Sequence, residues 1–308
     1  VVFAELNGLG CHCFITNAVC LDNVNLDFDP VIEDSQMLRL LFWNLNRMPL
    51  LEEVASLAIR NDIDLLVLAE DDIAAPSRLE FLNRHESRYF MTRSACKRIT
   101  LITRFSDRFT SIRSETDYYT FREVHLPLRE SFLLVAIHWK AMWRSEASQS
   151  AAFYEIGRLI REQEISCAHQ RTIVVGDFNV EPYANGMMAG NGLHAVMSRR
   201  VAARGQRELS PHGQFPFFYN PMWSVYGDES NGPPGTYYRS SSEEVCQFWY
   251  MRDQVLIRPQ LLPYLPARSV TVLTEAGTKS LINVNGHPSA SDHLPIVFQF
   301  DSPQEALL

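Results

Sequence analysis

The chain has 308 residues, of which 46% are hydrophobic and 21% charged, an ordinary balance for a soluble globular protein that excludes wholesale disorder. With 36 acidic against 28 basic residues the net charge is −8, which argues against affinity gained by coating long nucleic acid with Lys and Arg. It leaves room for an enzyme with a local basic groove, or for one that meets phosphate through a metal cation.

Residues 1–36 differ from the rest. They contain no lysine or arginine, show no sustained helical period, and end in the acidic, Pro-containing DFDPVIEDSQ. They read as an N-terminal extension with little ordered structure, a β-hairpin packed on the core being the alternative. Three of the six cysteines fall here, and Cys11-His12-Cys13 with Cys20 lacks the paired spacing of a zinc knuckle. The thiols therefore read as reduced and scattered, as in a cytoplasmic protein. No apolar run approaches the roughly 20 residues that span a bilayer. The N-terminus also lacks the basic-then-apolar layout of a secretory signal.

From Met37 onward apolar runs alternate with helical patterns. Leu38–Trp43 is strand-like. Leu50, Val54, Leu57 and Ala58 recur at helical spacing behind Pro49, and IDLLVLAE follows as a second strand, making a β-α-β unit. Then come ITLITRF (99–105), the pair around YYTFREVHLPL and SFLLVAIHW, a helix near 149–163 and the strand TIVVG. Late strands are expected at 253–257, 269–274 and 294–300. The Pro-, Gly- and aromatic-rich stretch between 210 and 240 reads as loop. One domain over 37–301, with a short tail at 302–308, is the economical organisation. Many strands and few helices point to two packed sheets with helices outside.

Polar residues gather at the strand ends. The first strand ends in Asn44-Leu45-Asn46, the second in Glu70, SFLLVAI in His138, and TIVVG in Gly176-Asp177-Phe178-Asn179. In extended chain Asp177 and Asn179 project to one side. Two late strands are instead entered through polar residues, Asp253 before QVLI and Ser291-Asp292-His293 before LPIVFQF. If the late strands run opposite to the early ones, all these groups converge. Each alone has a plain explanation, as a turn cap, a solvated acidic loop or a core histidine; their regular recurrence at strand ends argues for a site. A Ser-His-Asp esterase built from Ser291, Asp292 and His293 is excluded, because neighbours on a strand point apart and no nucleophile elbow is present.

LLFWNLN, LLVLAE, AIHW, VVGDFN, RDQVLI and SDHLPI, in this order and spacing, resemble the endonuclease/exonuclease/phosphatase superfamily over roughly residues 37–301. The resemblance implies an α/β protein with a four-layer α/β/β/α sandwich, two packed mixed sheets flanked by helices, and metal-dependent hydrolysis of phosphate esters. It implies Glu70 as the principal ligand of Mg²⁺ or Mn²⁺, assisted by Asn44 and Asp292, with Asn46 standing where some relatives have an acidic ligand. Asp177 would orient or deprotonate the attacking water, and Asn179 would hold that water or a phosphate oxygen. His293 would sit beside the scissile phosphate, as base or as charged clamp, with its tautomer fixed by Asp253. His138 would donate to the phosphate. Arg122 falls where relatives place a substrate contact, and Lys140, with Lys97 and Arg98, offers a short basic track.

The substrate is less determined than the reaction. Asp71 and Asp72, behind Glu70, would repel a phosphate backbone. Arg200, Arg204 and Arg207, at i, i+4 and i+7, would make either a phosphate-binding face or a solvated helix stripe. The aromatics Phe215, Phe217, Phe218, Tyr219, Trp223, Tyr237 and Tyr238 would pin the loop to the body or, less simply, stack on a ligand. No basic amphipathic helix or anchor suggests membrane work. A nuclease is the leading expectation, with nucleic acid as the phosphate-ester substrate. A small-molecule or inositol-type phosphatase and a catalytically idle binding module are the alternatives.

Overall fold

The computed structural model describes residues 37–84, 89–139, 145–209, 211 and 213–304. The expectations for residues 1–36, including their cysteine–histidine cluster, and for the last four residues lie outside the described residues.

The first β-α-β unit forms where the apolar pattern places it. Strand β1 (Met37–Asn44) leads into helix α1 (Leu51–Arg60) and then strand β2 (Leu65–Ala69). Val54, Leu57 and Ala58 of α1 are buried, as their helical spacing requires. Glu52 and Glu53 in the first turn and Arg60 in the last complement the helix dipole. A crossover helix returns the chain in the same direction, so β1 and β2 pair in parallel, with Asn44 opposite Ala69. A second helix, α2 (Ala75–Leu82), follows where the sequence showed only an acidic loop.

Next come β3 (Phe90–Met91), β4 (Ile99–Thr103), β5 (Thr110–Glu115), β6 (Tyr119–Val124) and β7 (Phe132–His138). Helix α3 (Glu146–Ser166) crosses over to β8 (Thr172–Asp177), and its N-terminus is closed by a capping box from Ser145 and Ser148. The six-stranded sheet has the order Val270–Val272, Ile296–Asp301, β1, β2, β4, β3. The seven-stranded sheet runs β5, β6, β7, β8, Asp253–Ile257, Phe218–Tyr219, Ala195–Val196. Both are mixed.

Side-chain alternation joins the layers. Leu134, Ala136, Ile173, Val175, Val255 and Ile257 of the second sheet share one apolar cluster with Leu40, Phe42, Leu66 and Phe298 of the first. On the other face Leu133, Val135, Ile137 and Val174 meet Phe153, Ile156 and Ile160 of α3. The 210–240 stretch is mostly loop with short strand and 3₁₀ pieces; Phe217 and Phe218 pin it to the core. Among the described residues no helix is long and apolar enough to cross a membrane.

One ion pair fastens α3 to the second sheet. Glu164 and Arg258 have side chains 1% and 2% exposed; Glu164 Oε1 accepts from Arg258 Nε at 2.7 Å and from Thr172 Oγ1 at 2.7 Å. Arg258 also donates to the Pro216 and Phe217 carbonyls at 2.9 and 3.0 Å. Glu164→Ala leaves that guanidinium buried without its carboxylate and should lower unfolding free energy in urea by about 3–5 kcal/mol. A loss below about 1 kcal/mol would show that water replaces the carboxylate freely.

Gly176 answers to a close approach rather than a turn. It pairs with Ile137 across β7 and β8, and a Cβ there would lie 1.8 Å from the Ile137 carbonyl oxygen, at a φ of +154°. Gly176→Ala must therefore push two buried strands apart. Its expected cost is about 1–3 kcal/mol, and an unchanged denaturation midpoint would refute the clash.

Candidate active site

The register of the second sheet lines up three functional side chains. His138 at the end of β7 lies opposite Asp177 at the end of β8, and Asp177 lies opposite Asp253 at the start of the antiparallel strand. In the first sheet Asn44 and Glu70 leave at the same end, and Ser291, Asp292 and His293 enter there, since Ile296–Asp301 runs antiparallel to β1. Asn44, Asn46, Glu70, His138, Asp177, Asn179, Asp292 and His293 thus line one cleft of about 330 Å³. Asp253, wholly buried, stands behind His293.

Two contacts fasten the 291–293 entry to the end of β1 within the first sheet, under this cleft. The Trp43 indole donates to the His293 carbonyl at 2.9 Å, and the Ser291 hydroxyl donates to the Asn44 carbonyl at 2.7 Å. Asn44 Nδ2 then crosses between the sheets to Asp177 Oδ2 at 3.0 Å. Glu70 and Asn179 sit in the left-handed region, with φ of 49° and 52°, a conformation that a non-glycine residue holds only under tertiary constraint.

Asp177 is a fully enclosed carboxylate. Its Oδ1 accepts from the Asn179 backbone N–H at 2.9 Å, and Oδ2 from the side chains of Asn44 and Asn179. Burial pushes its pKa up, and the Asp253 charge adds to that, while His293 and His138 draw it back; the net shift is upward. His293 Nδ1 faces both Asp253 oxygens, at 2.8 and 3.1 Å. Burial works against its imidazolium, but the carboxylates of Asp253 and Asp177 outweigh burial and raise the pKa to about 9. His293 Nε2 and His138 Nε2 stand 3.9 and 3.8 Å from Asp177 Oδ2. Neither distance is a hydrogen bond, so a group seated between them has all three within reach.

The donor set suits a hard divalent cation. Glu70, Asp292 and Asn44 offer carboxylate and carboxamide oxygens, the ligands of Mg²⁺ or Mn²⁺. Glu70 is the open carboxylate, with its side chain 25% exposed, and the His138 contact at 3.2 Å is the main influence keeping it ionised. Asp177, Asp253 and His293 also bring ligand atoms within 4.8 Å of one another. However, His293 Nδ1 is committed to Asp253, and Asp177 already accepts three N–H groups, so that trio has less to offer an ion.

Other expected residues lie elsewhere. Arg122 is buried and donates to Thr120, the Arg93 carbonyl and Glu115, so it braces the β5–β6 hairpin and does not line the cleft. Lys140 lies outside the described residues. Arg200 falls in a helix of only Arg199–Ala202, so Arg204 and Arg207 do not continue a helical stripe with it. The Asp71 side chain is not solvated, being 1% exposed and bonded to Arg78 at 2.5 Å. Missed from the sequence were the brace residues Trp43 and Ser291 and the lining residues Arg239, Arg252, Trp139 and Tyr250. The only sequence cue for Arg252 was its place beside Asp253.

No family model matches the chain, and no curated relative matches it in sequence. Solved structures do match. The human Nocturnin catalytic domain with bound sulfate anion is 16% identical, at a TM-score of 0.50, covering 87% of this chain and 95% of that one. The endonuclease domain of TRAS1, a telomere-specific non-LTR retrotransposon, is 13% identical at 0.50, covering 87% and 100%. An endonuclease/exonuclease/phosphatase family protein from Bacteroides thetaiotaomicron is 11% identical at 0.51, covering 86% and 97%. At such identities the likeness is one of fold, and the fold of this chain is that of endonuclease/exonuclease/phosphatase structures.

Proposed function

We propose that the chain is a divalent-metal-dependent phosphoesterase that hydrolyses phosphodiester bonds by in-line attack of an activated water, and that its substrate is nucleic acid. The observation that carries this reading is the convergence of Glu70, His138, Asp177, Asn179 and His293–Asp253 in one cleft. A phosphodiester repels hydroxide and has a poor leaving alkoxide, so its cleavage needs positive charge on the phosphate, an oriented water and a nearby base.

Glu70, Asn44 and Asp292 would hold Mg²⁺ or Mn²⁺, which when bound supplies charge to the phosphate and to the leaving oxygen. Asp177 takes the proton of the attacking water; its raised pKa makes it a better base than a surface aspartate. Asn179 Nδ2, already fixed to Asp177 and to the Trp139 carbonyl at 3.0 Å, keeps that carboxylate aimed. His293, protonated on both nitrogens, offers Nε2–H to a phosphate oxygen while Asp253 holds Nδ1. His138 Nε2 approaches from the other side.

Three features favour nucleic acid. Arg98 and Arg239 line the cleft, and among the described residues neither has a carboxylate partner. Trp139, Tyr237 and Tyr250 line the cleft, and aromatic rings at such a wall suit stacking on bases. The repulsion expected from Asp71 is removed by Arg78. The described cysteines, Cys96, Cys167 and Cys246, are free thiols, which fits a reducing cytoplasm.

A panel of plasmid, single-stranded DNA, RNA, inositol phosphates and chromogenic mono- and diesters, each with Mg²⁺, Mn²⁺ and EDTA, tests the reading. Diesters should be cut and monoesters spared, with activity lost in EDTA; turnover of monoesters alone would favour a phosphatase instead. Glu70→Ala should abolish the metal-dependent rate, and an unchanged rate removes Glu70 from the metal site.

Asp253→Asn removes the charge behind His293 and keeps the shape. We expect kcat to fall roughly 10²–10⁴-fold with KM nearly unchanged. A rise in KM alone would make His293 a binding contact only.

A further inference from the structure

At the pole of the second sheet away from the cleft, a separate group of ligand-type side chains meets. β6 and β7 pair from Tyr119–Ile137, next to His138, down to Val124–Phe132 at the far end. There Glu123 of β6 meets Cys167 and His169, which stand in the turn between α3 and β8. A carboxylate oxygen, a thiol sulfur and an imidazole nitrogen all lie within 4.8 Å of one another.

The imidazole carries the second observation. His169 is only 7% exposed, and its Nε2 is buried without a hydrogen-bond partner. It faces Glu123 Oε1 at 3.7 Å, beyond hydrogen-bond range. A buried polar nitrogen left unsatisfied is costly and calls for a partner. His125 Nε2, on a side chain 46% exposed, is 3.6 Å from the other Glu123 carboxylate oxygen, Oε2, and lies outside this cluster.

We propose that Glu123, Cys167 and His169 bind a zinc-class divalent ion that ties β6 to the α3–β8 turn, with water in the fourth position. Sulfur, nitrogen and a single carboxylate oxygen are the donors zinc takes in tetrahedral sites, and a thiol excludes Mg²⁺ or Ca²⁺. Arg113 Nε donates to Glu123 Oε2 at 2.7 Å, which fixes the carboxylate, while Oε1, which also accepts from Ser131 Oγ at 3.3 Å, faces His169. His169 is kept neutral by burial and by the charge of Arg171, as a ligand imidazole must be. Cys167 is a thiol in the metal-free protein, its pKa raised to about 11 by burial and by Glu123. On binding, the S–H bond breaks, the electron pair stays on sulfur to form the bond to the ion, and the proton leaves to solvent. The Arg171 amide donates to His169 Nδ1 at 3.2 Å. Coordination through Nε2 moves the ring proton to Nδ1, so this one long contact is surrendered for a metal bond. The ion would fasten β6 to the turn that feeds β8, whatever the cleft hydrolyses.

Full-length protein stripped with chelator and reloaded with Zn²⁺ should retain one more equivalent than Cys167→Ser treated alike. Loaded with Co²⁺, it should show thiolate-to-cobalt charge-transfer absorption that Cys167→Ser lacks and Cys246→Ser keeps. His169→Gln, checked for folding by circular dichroism, should weaken Zn²⁺ binding more than about tenfold. Equal metal content and identical cobalt spectra in the parent chain and Cys167→Ser would overturn the site.

Discussion

Strand register at Asp177 is the constraint on which the rest of the molecule depends. Parallel pairing sets His138 beside Asp177, and antiparallel pairing sets Asp253 on its other side. A slip of one residue would turn each side chain to the opposite face. The register is protected by what lies behind it: Ile173, Val174 and Val175 are wholly buried, alternating between the two apolar clusters. Gly176 lets the β7 backbone come close enough for that pairing to reach the strand end.

This arrangement places two carboxylates and two imidazoles out of water, which folding opposes unless they compensate one another. Compensation is local and specific. Asp253 meets His293, Asp177 meets three N–H groups, and Glu70 meets His138. The indole of Trp43 and the hydroxyl of Ser291 set the backbone of the 291–293 entry, so the histidine is aimed by the core. The left-handed residues Glu70 and Asn179 are tolerated in the same way, because strands fix the chain on one side of them.

How much of this was legible in the sequence follows from where each partner lies. The strands and α1 were readable because unbroken or periodic apolar runs report burial directly. The six polar strand ends were readable because they interrupt those runs, and the structure brings them into one place. Helix α2 was hidden because Asp71 and Asp72 look solvated, whereas Asp71 is buried by Arg78 seven residues later. Arg122 misled for a related reason: its partner Glu115 stands across a hairpin, and a strand arginine reads the same whether it faces a substrate or a buried carboxylate. The stripe Arg200, Arg204, Arg207 required a helix that ends at Ala202, and Gly205 then turns the chain at a φ of +86°. Tyr250 stands in a two-residue strand paired with Tyr237–Tyr238, and Arg239 follows that pair, so segments too short to show periodicity left nothing to mark them as lining residues.

The burial of Asp71 also changes what an anion meets on its way in. A net charge of −8 suggests a repulsive surface, but Asp71 is cancelled by Arg78, and Asp72 and Glu70 share Arg47 at 4.0 and 3.6 Å. At physiological salt, exposed charges beyond about 8 Å are largely screened. The local field at the mouth is therefore set by the lining charges Arg98, Arg239 and Glu243 more than by acidic residues spread over the remainder of the surface.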